Sequence, residues 1–390
     1  MTSALNIRCK NMILGALVAD AATMGLHWIY DQPHIRKTAP EKPEFTPAHA
    51  KNYDGVPGYF AHEGRETGAQ SQYGEQVMVM LRHLAQNSGQ YDPAGFVEAF
   101  RAHFGYGGKY VGYIDGATRG TLDNARRFDE ATATAAATVP FDGNPRMAKT
   151  LFAKALPLLI RKSGNDLEAA FLNAVQDVDA SEEIAAYAKT LIATLSDVPR
   201  PTGTSDIQLP AVAKLPALVA LLTSQGFTDR PVFDEATGSA VRATSDHPTA
   251  ETYGEISAHL MAGALTQGTV VGAISAARAV APPQAGKLLD DAIAMEDKSN
   301  TEATQHFGLA CDLPMGVPSA AHALCSSNTF ADAVRANIYS GGDNCGRAIL
   351  VGAVMGAVHG TDGAKGIPRD WIDKCKHAEE AQKLLAQLFG

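Results

Sequence analysis

The chain has 390 residues, of which 45% are hydrophobic and 19% charged, a balance that excludes a disordered or fibrous protein and allows a large buried core. Its net charge of −9, uninterrupted by any basic cluster, argues against nucleic acid and against an anionic membrane as partners. After the first segment, no apolar run approaches the ~20 residues that a membrane span needs. We therefore expect a globular, soluble protein.

Alanine and other helix formers recur throughout the chain, whereas alternating β-branched and aromatic residues are scarce. This pattern predicts an all-α fold, a compact bundle of many helices in a single domain over residues 1–390. The predicted helices are Cys9–Leu26, Gly74–Gln86, Pro93–Phe104, Gly116–Phe128, Met147–Lys162, Leu167–Asp177, Glu182–Leu195, Val212–Ser224, Ala250–Leu265, Val270–Ala279, Gln284–Met295, Ser319–Leu324, Phe330–Ile338, Arg347–Val358 and Ala378–Leu388. Longer loops are predicted at Asp31–Gln72, Asp129–Arg146 and Ser196–Leu209, and long loops are often functional. Within the second loop, the Ala/Thr tract Ala131–Val139 is interpreted as a surface excursion.

The first segment imitates a secretory signal, because Lys10 precedes the apolar run Met12–Ala19. Asp20 argues against a signal, since an aspartate at the end of an apolar helix is better explained as a polar group carried into a cleft. Five cysteines, odd in number and without the spacing of disulfides or metal ligands, suit a reducing compartment. We therefore expect a cytoplasmic protein.

A polar cluster that contains Glu75 lies at the start of the predicted helix Gly74–Gln86. Its neighbours Gln72, Tyr73 and Gln76 precede a strongly apolar stretch, so the cluster is predicted to face a cleft. An acid in the first turn of the helix Gly74–Gln86 also complements the helix dipole, which is the structural alternative.

The run from Gly341 to Arg347 places an acid, an amide, a thiol and a base at the start of a predicted helix. Glycines allow a tight turn there, and the free N–H groups at a helix start favour an anion or a thiolate. The run predicts a ligand site. The alternative is that Asp343 or Asn344 only caps the helix.

Cys345 in this run has two interpretations. Its position at a helix start near Arg347 could stabilise a nucleophilic thiolate, or the residue could be an inert buried thiol. Arg347 itself could pair with Asp343, reach a phosphate or lie on the helix surface.

Several of these segments carry a family resemblance. Leu14–Gly25, with its glycine and aspartate among small residues, resembles the first helix of the ADP-ribosylglycohydrolase superfamily. The run Gly341–Gly360 resembles the second metal motif of that family, and Phe307-Gly308 with Gly316–Ala320 resembles the stretch before it. The resemblance thus spans nearly the whole chain and implies a compact, orthogonal all-α bundle with its site at the helix ends.

Two motif variants resemble one branch of the family. The stretch His27–Asp31 and the run Gly342–Cys345 are similar to the branch that holds jellyfish lens J-crystallins and selenoprotein J. In selenoprotein J a selenocysteine corresponds to Cys345. His27 and Trp28 could stack on a base or ribose, although a buried tryptophan in a helical core is the alternative.

The resemblance implies two magnesium or manganese ions and cleavage of the glycosidic bond of ADP-ribose. The first metal motif, Thr-Asp-Asp-Thr, corresponds to residues 73–76, where Glu75 is the one acid that remains. The second, Asp-Thr-Asp-Thr, corresponds to residues 343–346, where Asp343 alone is identical. Since Mg²⁺ prefers hard oxygen ligands, we expect a degenerate site that binds no metal, or a single weakly bound magnesium on Glu75 and Asp343.

The leading hypothesis is therefore an ADP-ribosylglycohydrolase-like protein with a nucleotide- or ribose-sized cleft, in which hydrolysis of an ADP-ribosyl bond is the implied activity. Glu75 would act as general base and Asp343 would orient a sugar hydroxyl. The predicted substrate-binding residues are Asp20, His27, Tyr73, Asn144, Gly341, Gly342, Asn344 and Arg347. The implied partner is a small molecule of ADP-ribose or nucleoside type, and the sequence does not indicate the oligomeric state.

Two alternatives stay open. Loss of metal ligands in a stable acidic domain also suits a non-enzymatic soluble protein of crystallin type. A thiol-dependent catalyst that uses Cys345 is the third hypothesis.

Overall fold

The structure, a computed structural model, describes residues 4–141, 143–162, 164–179, 181–227 and 230–390. Its α-helices are α1 (Ala4–Thr23), α2 (Gln32–Thr38), α3 (Gln72–Gln86), α4 (Pro93–Phe104), α5 (Gly116–Ala137), α6 (Pro145–Arg161), α7 (Gly164–Gln176), α8 (Glu182–Ser196), α9 (Pro210–Ala213), α10 (Leu215–Ser224), α11 (Arg230–Arg242), α12 (Pro248–Gln267), α13 (Val270–Val280), α14 (Pro283–Ala294), α15 (Asn300–Phe307), α16 (Leu313–Cys325), α17 (Phe330–Tyr339), α18 (Asn344–His359), α19 (Arg369–Lys374) and α20 (Ala378–Phe389). Within the described residues β-structure is limited to isolated bridges, so the predicted all-α class is confirmed. None of the described helices combines the length and apolar character that crossing a membrane requires.

Helices α1 and α18 cross at the centre of the molecule with their backbones in contact. A Cβ at Gly15 would overlap the carbonyl oxygen of Gly352, so this close approach needs glycine. Asn11 lies against Gly356, and Ala19 lies against Gly352, so the two helices are antiparallel. The last turn of α1 therefore lies beside the first turn of α18.

The hydrophobic core has two parts. The main cluster includes α1, α3, α10, α12, α16 and α18. A second cluster belongs to α5, α6, α7 and α8, around Phe128, Leu151, Phe171 and Leu191. The prediction of one domain over residues 1–390 stays a prediction.

The tract Ala131–Val139 lies mostly at the surface as predicted, but the predicted loop Asp129–Arg146 begins too early, because α5 continues to Ala137. Alanine has the highest helix propensity, and the Thr132 hydroxyl donates to the carbonyl oxygen of Phe128, so the tract extends the helix. Helix α11 was not predicted from the sequence, since its buried apolar positions are few. The helices α2, α15 and α19 are short and were also missed.

Candidate functional site

The predicted site lies where the end of α1, the start of α3 and the start of α18 meet. The backbone N–H of Trp28 donates to the carbonyl oxygen of Gly342 at 2.9 Å, and that of Gly342 donates to Ile29 at 2.8 Å. Gly341 and Gly342 have φ values of +67° and +60°. A Cβ at Gly342 would also overlap the carbonyl oxygen of Leu309. The turn itself therefore requires both glycines, and both are buried.

Asp343 is fully buried and is both a helix cap and a hydrogen-bond centre. Its Oδ1 accepts from the backbone N–H of Gly346 at 3.1 Å, so the capping interpretation is correct. The same oxygen lies 3.0 Å from His27 Nε2, and Oδ2 accepts from the Tyr73 hydroxyl at 2.5 Å. Burial alone would raise the pKa of Asp343, but the hydrogen bonds from His27 and Tyr73 outweigh burial and hold the pKa below 3.8. The carboxyl group is therefore ionised at neutral pH.

His27 and His62 extend this hydrogen-bonded chain. His27 Nδ1 lies 2.7 Å from His62 Nε2. Burial lowers the pKa of both imidazoles below 6.5, so both rings are neutral at pH 7. With both rings neutral, one arrangement places a single proton in each contact: His62 Nε2 donates to His27 Nδ1, and His27 Nε2 donates to Asp343 Oδ1. This series of hydrogen bonds ends at His62 Nδ1, a buried atom with no partner among the described residues.

Asp20 is fully buried beside the start of α3. Its carboxylate accepts from the backbone N–H of Ser71 at 2.8 Å and from the Ser71 hydroxyl. Burial raises the pKa of Asp20 to about 7, although the bonds from Ser71 act in the opposite direction. A Cβ at Gly74 would lie 2.7 Å from the side-chain amide of Gln70 and still nearer to Asp20. An aspartate at position 74, as the resemblance implies for metal-binding relatives, does not fit there.

Glu75 is 5% exposed and is enclosed by three basic side chains. Its Oε1 accepts from Arg65 at 3.1 Å and lies 3.3 Å from His377 Nε2, while Oε2 lies 2.9 Å from His103 Nε2. Burial alone would raise the pKa of Glu75, but the hydrogen bonds from His103 and His377 outweigh burial and hold the pKa well below 4.5. Such a carboxylate is a weak base.

Cys345 is completely buried. Burial raises the pKa of its thiol well above 9.0, the charges of Asp20 and Asp343 raise it further, and Arg347 offsets this only in part. The thiol is therefore protonated at neutral pH. The structure favours the interpretation of Cys345 as an inert buried thiol.

Arg347 and Asn344 hold the turn that precedes α18. Arg347 is fully buried, which excludes a position on the helix surface. Its Nε donates to Asn337 Oδ1 at 3.0 Å and its Nη2 donates to the carbonyl oxygen of Gly341. Asn344 Nδ2 donates to the carbonyl oxygen of Leu26 at 3.2 Å. Both polar side chains thus bind the protein's own backbone.

Asn144 is not brought to this site. It is the exposed N-cap of α6, where its side chain accepts from the backbone N–H of Arg146 at 2.9 Å. Helix α6 packs on α4, α5, α7 and α8 instead of the helices of the site. The structure therefore gives Asn144 a capping role in place of the predicted substrate contact.

The side chains present do not fit a pair of magnesium ions. Among the described residues, three or more potential ligand atoms come within 4.8 Å of one another only between α11 and α12, outside this site. Glu75 and Asp343 belong to no such group. Cys345 offers a soft, protonated thiol where a hard carboxylate would be needed.

Sequence reasoning missed four side chains that surround the two acids. His62 and Arg65 lie in the long predicted loop Asp31–Gln72, and that loop was the one available signal. His103 and His377 are 28 and 302 residues from Glu75, so no local pattern connects them with it.

Several buried polar atoms near these helix starts lack a partner. Both amide atoms of Gln72 and Gln76 are without a hydrogen bond among the described residues. His62 Nδ1, Asn344 Oδ1 and Arg347 Nη1 are likewise buried without a hydrogen-bond partner among the described residues. Since buried polar groups in native proteins are nearly always hydrogen-bonded, ordered water or a polar ligand is expected beside them.

Comparisons with known proteins agree over the whole chain. A family model described as ADP-ribosylglycohydrolase matches residues 1–390. The chain is 26% identical over 384 residues to crystallin J1A of Tripedalia cystophora, across 98% of this chain and 96% of that protein. Crystallin J1B of the same organism is 24% identical over 386 residues, with the same coverage. A solved structure named ADP-ribosylglycohydrolase-related protein complex matches 99% of this chain and 98% of its own, with a TM-score of 0.57 and 16% identity, a likeness of fold.

Proposed function

This chain belongs to the ADP-ribosylglycohydrolase family, and we propose that it is a metal-independent, non-enzymatic member. Its former metal site serves as a buried network that stabilises the fold. Its use as a soluble structural protein would parallel the crystallin role that the names of its jellyfish relatives state.

One observation carries the proposal: every carboxylate oxygen of the two retained acids already has protein partners. Asp343 accepts from His27, Tyr73 and Gly346, and Glu75 is held by basic side chains on both oxygens. A divalent ion would have to displace these donors and reach two buried carboxylates. Even a single weak magnesium site on Glu75 and Asp343 is therefore disfavoured.

The same contacts argue against glycosidic hydrolysis. A general base needs a pKa near the working pH, whereas the pKa of Glu75 is held well below its ordinary value. Asp343 has no free oxygen with which to orient a sugar hydroxyl or a water molecule.

An activity assay tests this proposal. The protein is incubated with an ADP-ribosylated peptide in magnesium or manganese, and released ADP-ribose is measured. We expect no release above that of a protein-free control. Metal-dependent release that disappears in the Asp343→Asn variant would contradict the proposal and restore the hydrolase hypothesis.

A second candidate function, binding of a small molecule of ADP-ribose or nucleoside type, is favoured by the unpartnered amides of Gln72 and Gln76. A polar ligand there would satisfy groups that are costly to bury alone. The variants Gln72→Leu and Gln76→Leu separate the two functions. If the amides bind a ligand, calorimetry with ADP-ribose shows saturable binding that weakens about tenfold or more in the variants. If they bind no ligand, ADP-ribose gives no saturable heat with either protein.

A further inference from the structure

A cavity of about 370 Å³ lies between α4, α5, α6 and α11, outside the buried network. It is found where helices of the two hydrophobic clusters meet, and interfaces of this kind are common places for ligand pockets. Its volume suits a small organic molecule. Part of the wall is apolar, with Pro93, Val97, Ile160 and Pro201 among the lining residues.

Two of the three arginines at this cavity are neutralised by neighbouring acids. Arg161 pairs with Glu98, and Arg242 lies 2.7 Å from Glu235 and 3.0 Å from Glu251. Their charges are therefore already balanced within the protein.

The third arginine, Arg200, has no such partner. Its Nη2 donates to the carbonyl oxygen of Lys162 at 2.7 Å, but no carboxylate of the described residues lies within 4.0 Å of the guanidinium group. The remaining donors of this planar group can receive a carboxylate in a bidentate arrangement.

One acid at the same cavity is unpaired as well. The backbone of Asp246 is fixed by a bond from its N–H to the carbonyl oxygen of Thr204 at 2.8 Å. In the described part of the chain, no cationic side chain comes within ion-pair distance of its carboxylate. Arg200 and Asp246 thus line one cavity without pairing with each other.

We propose that this cavity binds a small apolar amino acid in its zwitterionic form. The ligand carboxylate pairs with Arg200, the ligand ammonium pairs with Asp246, and its side chain packs against Val97 and Ile160. A simple anion would leave Asp246 unpaired, and a simple cation would do the same to Arg200. A zwitterion pairs with both, and because Arg200 and Asp246 are exposed, these pairs select the charges of the ligand more than they add affinity.

Calorimetric titration with L-phenylalanine, 2-phenylethylamine and 3-phenylpropanoate tests the assignment, because the last two compounds each lack one charge. We expect saturable binding of phenylalanine, and binding weaker by about threefold or more for each analogue, because the two ion pairs are exposed to solvent. Arg200→Gln removes the partner of the ligand carboxylate, so it should bind phenylalanine no better than the parent protein binds 2-phenylethylamine. Asp246→Asn removes the partner of the ligand ammonium, so it should bind phenylalanine no better than the parent binds 3-phenylpropanoate. Arg278→Gln, which removes an exposed ion pair with Asp290, is the matched control and should bind as the parent does.

Three results would overturn the assignment. They are no saturable binding of phenylalanine at millimolar concentration, equal binding of either analogue to the parent protein, and equal affinities of Arg200→Gln and Arg278→Gln. None depends on whether the buried network binds metal or ADP-ribose, so this proposal and the proposed function fail separately.

Discussion

Asp343 joins two roles in one side chain, because it caps α18 and receives hydrogen bonds from two other elements. Its buried charge is balanced by neutral donors, His27 and Tyr73, and by the N–H groups at the helix start. Removing the charge while keeping the cap therefore isolates the contribution of the network.

The Asp343→Asn variant makes this separation, since asparagine caps helices as well as aspartate does. At pH 7 we expect the free energy of unfolding to fall by about 2–3 kcal/mol, because hydrogen bonds to a charged group are lost. The folded pKa of Asp343 lies below 3.8, so its stabilising effect is complete well above 3.8 and is lost as the pH falls towards the folded value. Urea unfolding of both proteins between about pH 7 and pH 2 measures the difference. A difference that does not shrink on acidification would contradict this account.

Gly74 tests whether the space at the start of α3 has room for a side chain. In Gly74→Ala, the new Cβ meets Asp20, so we expect a loss of about 1–3 kcal/mol from overpacking. Gly116→Ala is the matched control, because nothing lies within 4 Å of its Cβ and alanine favours the helix. Thermal unfolding compares the two. Equal stabilities of these variants would show that position 74 has room for a side chain.

Cys345 makes a prediction about reactivity. Burial raises the pKa of all three thiols, but complete burial of Cys345 should make its alkylation by iodoacetamide slower, by about tenfold or more, than that of the half-buried Cys311 and Cys325. Peptide mass spectrometry after timed labelling of the folded protein measures the three rates. Cys345 labelling ahead of the other two would revive the thiol-catalyst hypothesis.

Among the helices, the antiparallel pair α1 and α18 positions the site, because their contact fixes where Asp20 and Asp343 lie. Gly15→Ala places a methyl group against the backbone of Gly352, which cannot move without separating the helices. We expect the free energy of unfolding to fall by about 3 kcal/mol. Gly238→Ala in α11 faces only the flexible end of Arg242 and should keep the stability or raise it by up to about 1 kcal/mol, because alanine favours the helix. Denaturant titration measures the free energy of unfolding of both variants. A Gly15→Ala protein as stable as the parent would contradict the close packing of these helices.

Most of the helices could be predicted from their composition and from the capping and helix-breaking residues at their ends. Examples are α3, α4, α12 and α18, which have strong helix formers or clear starts and ends. The failures have physical causes. The tract Ala131–Val139 looked irregular because its composition is simple, yet alanine needs no side-chain contacts to continue a helix. Helix α11 is mostly polar and is held by tertiary packing on α12, which a local pattern does not reveal.

The site was predictable in its acids and not in their partners. Glu75 and Asp343 stand in recognisable motifs, whereas Arg65, His103 and His377 come from separate elements that only the fold brings together. Whether a carboxylate binds metal or protein depends on those partners. The resemblance therefore indicated the family, and the contacts of the two acids, which it could not supply, support the proposed function.

For the whole molecule, the network joins the two ends of the chain, since it connects α1, α3 and α18 with the segments that carry His62 and His377. The family fold extends over the full length of the chain, and protein donors occupy the carboxylates of Glu75 and Asp343.

The most direct test is a titration of the purified protein with Mn²⁺, in which free ion is followed by electron paramagnetic resonance. Manganese is suitable because it accepts the same oxygen ligands as magnesium. The account predicts no saturable binding below about 1 mM that the Asp343→Asn variant removes, because protein donors occupy Glu75 and Asp343. Micromolar binding of two ions per chain, abolished by Asp343→Asn, would contradict it.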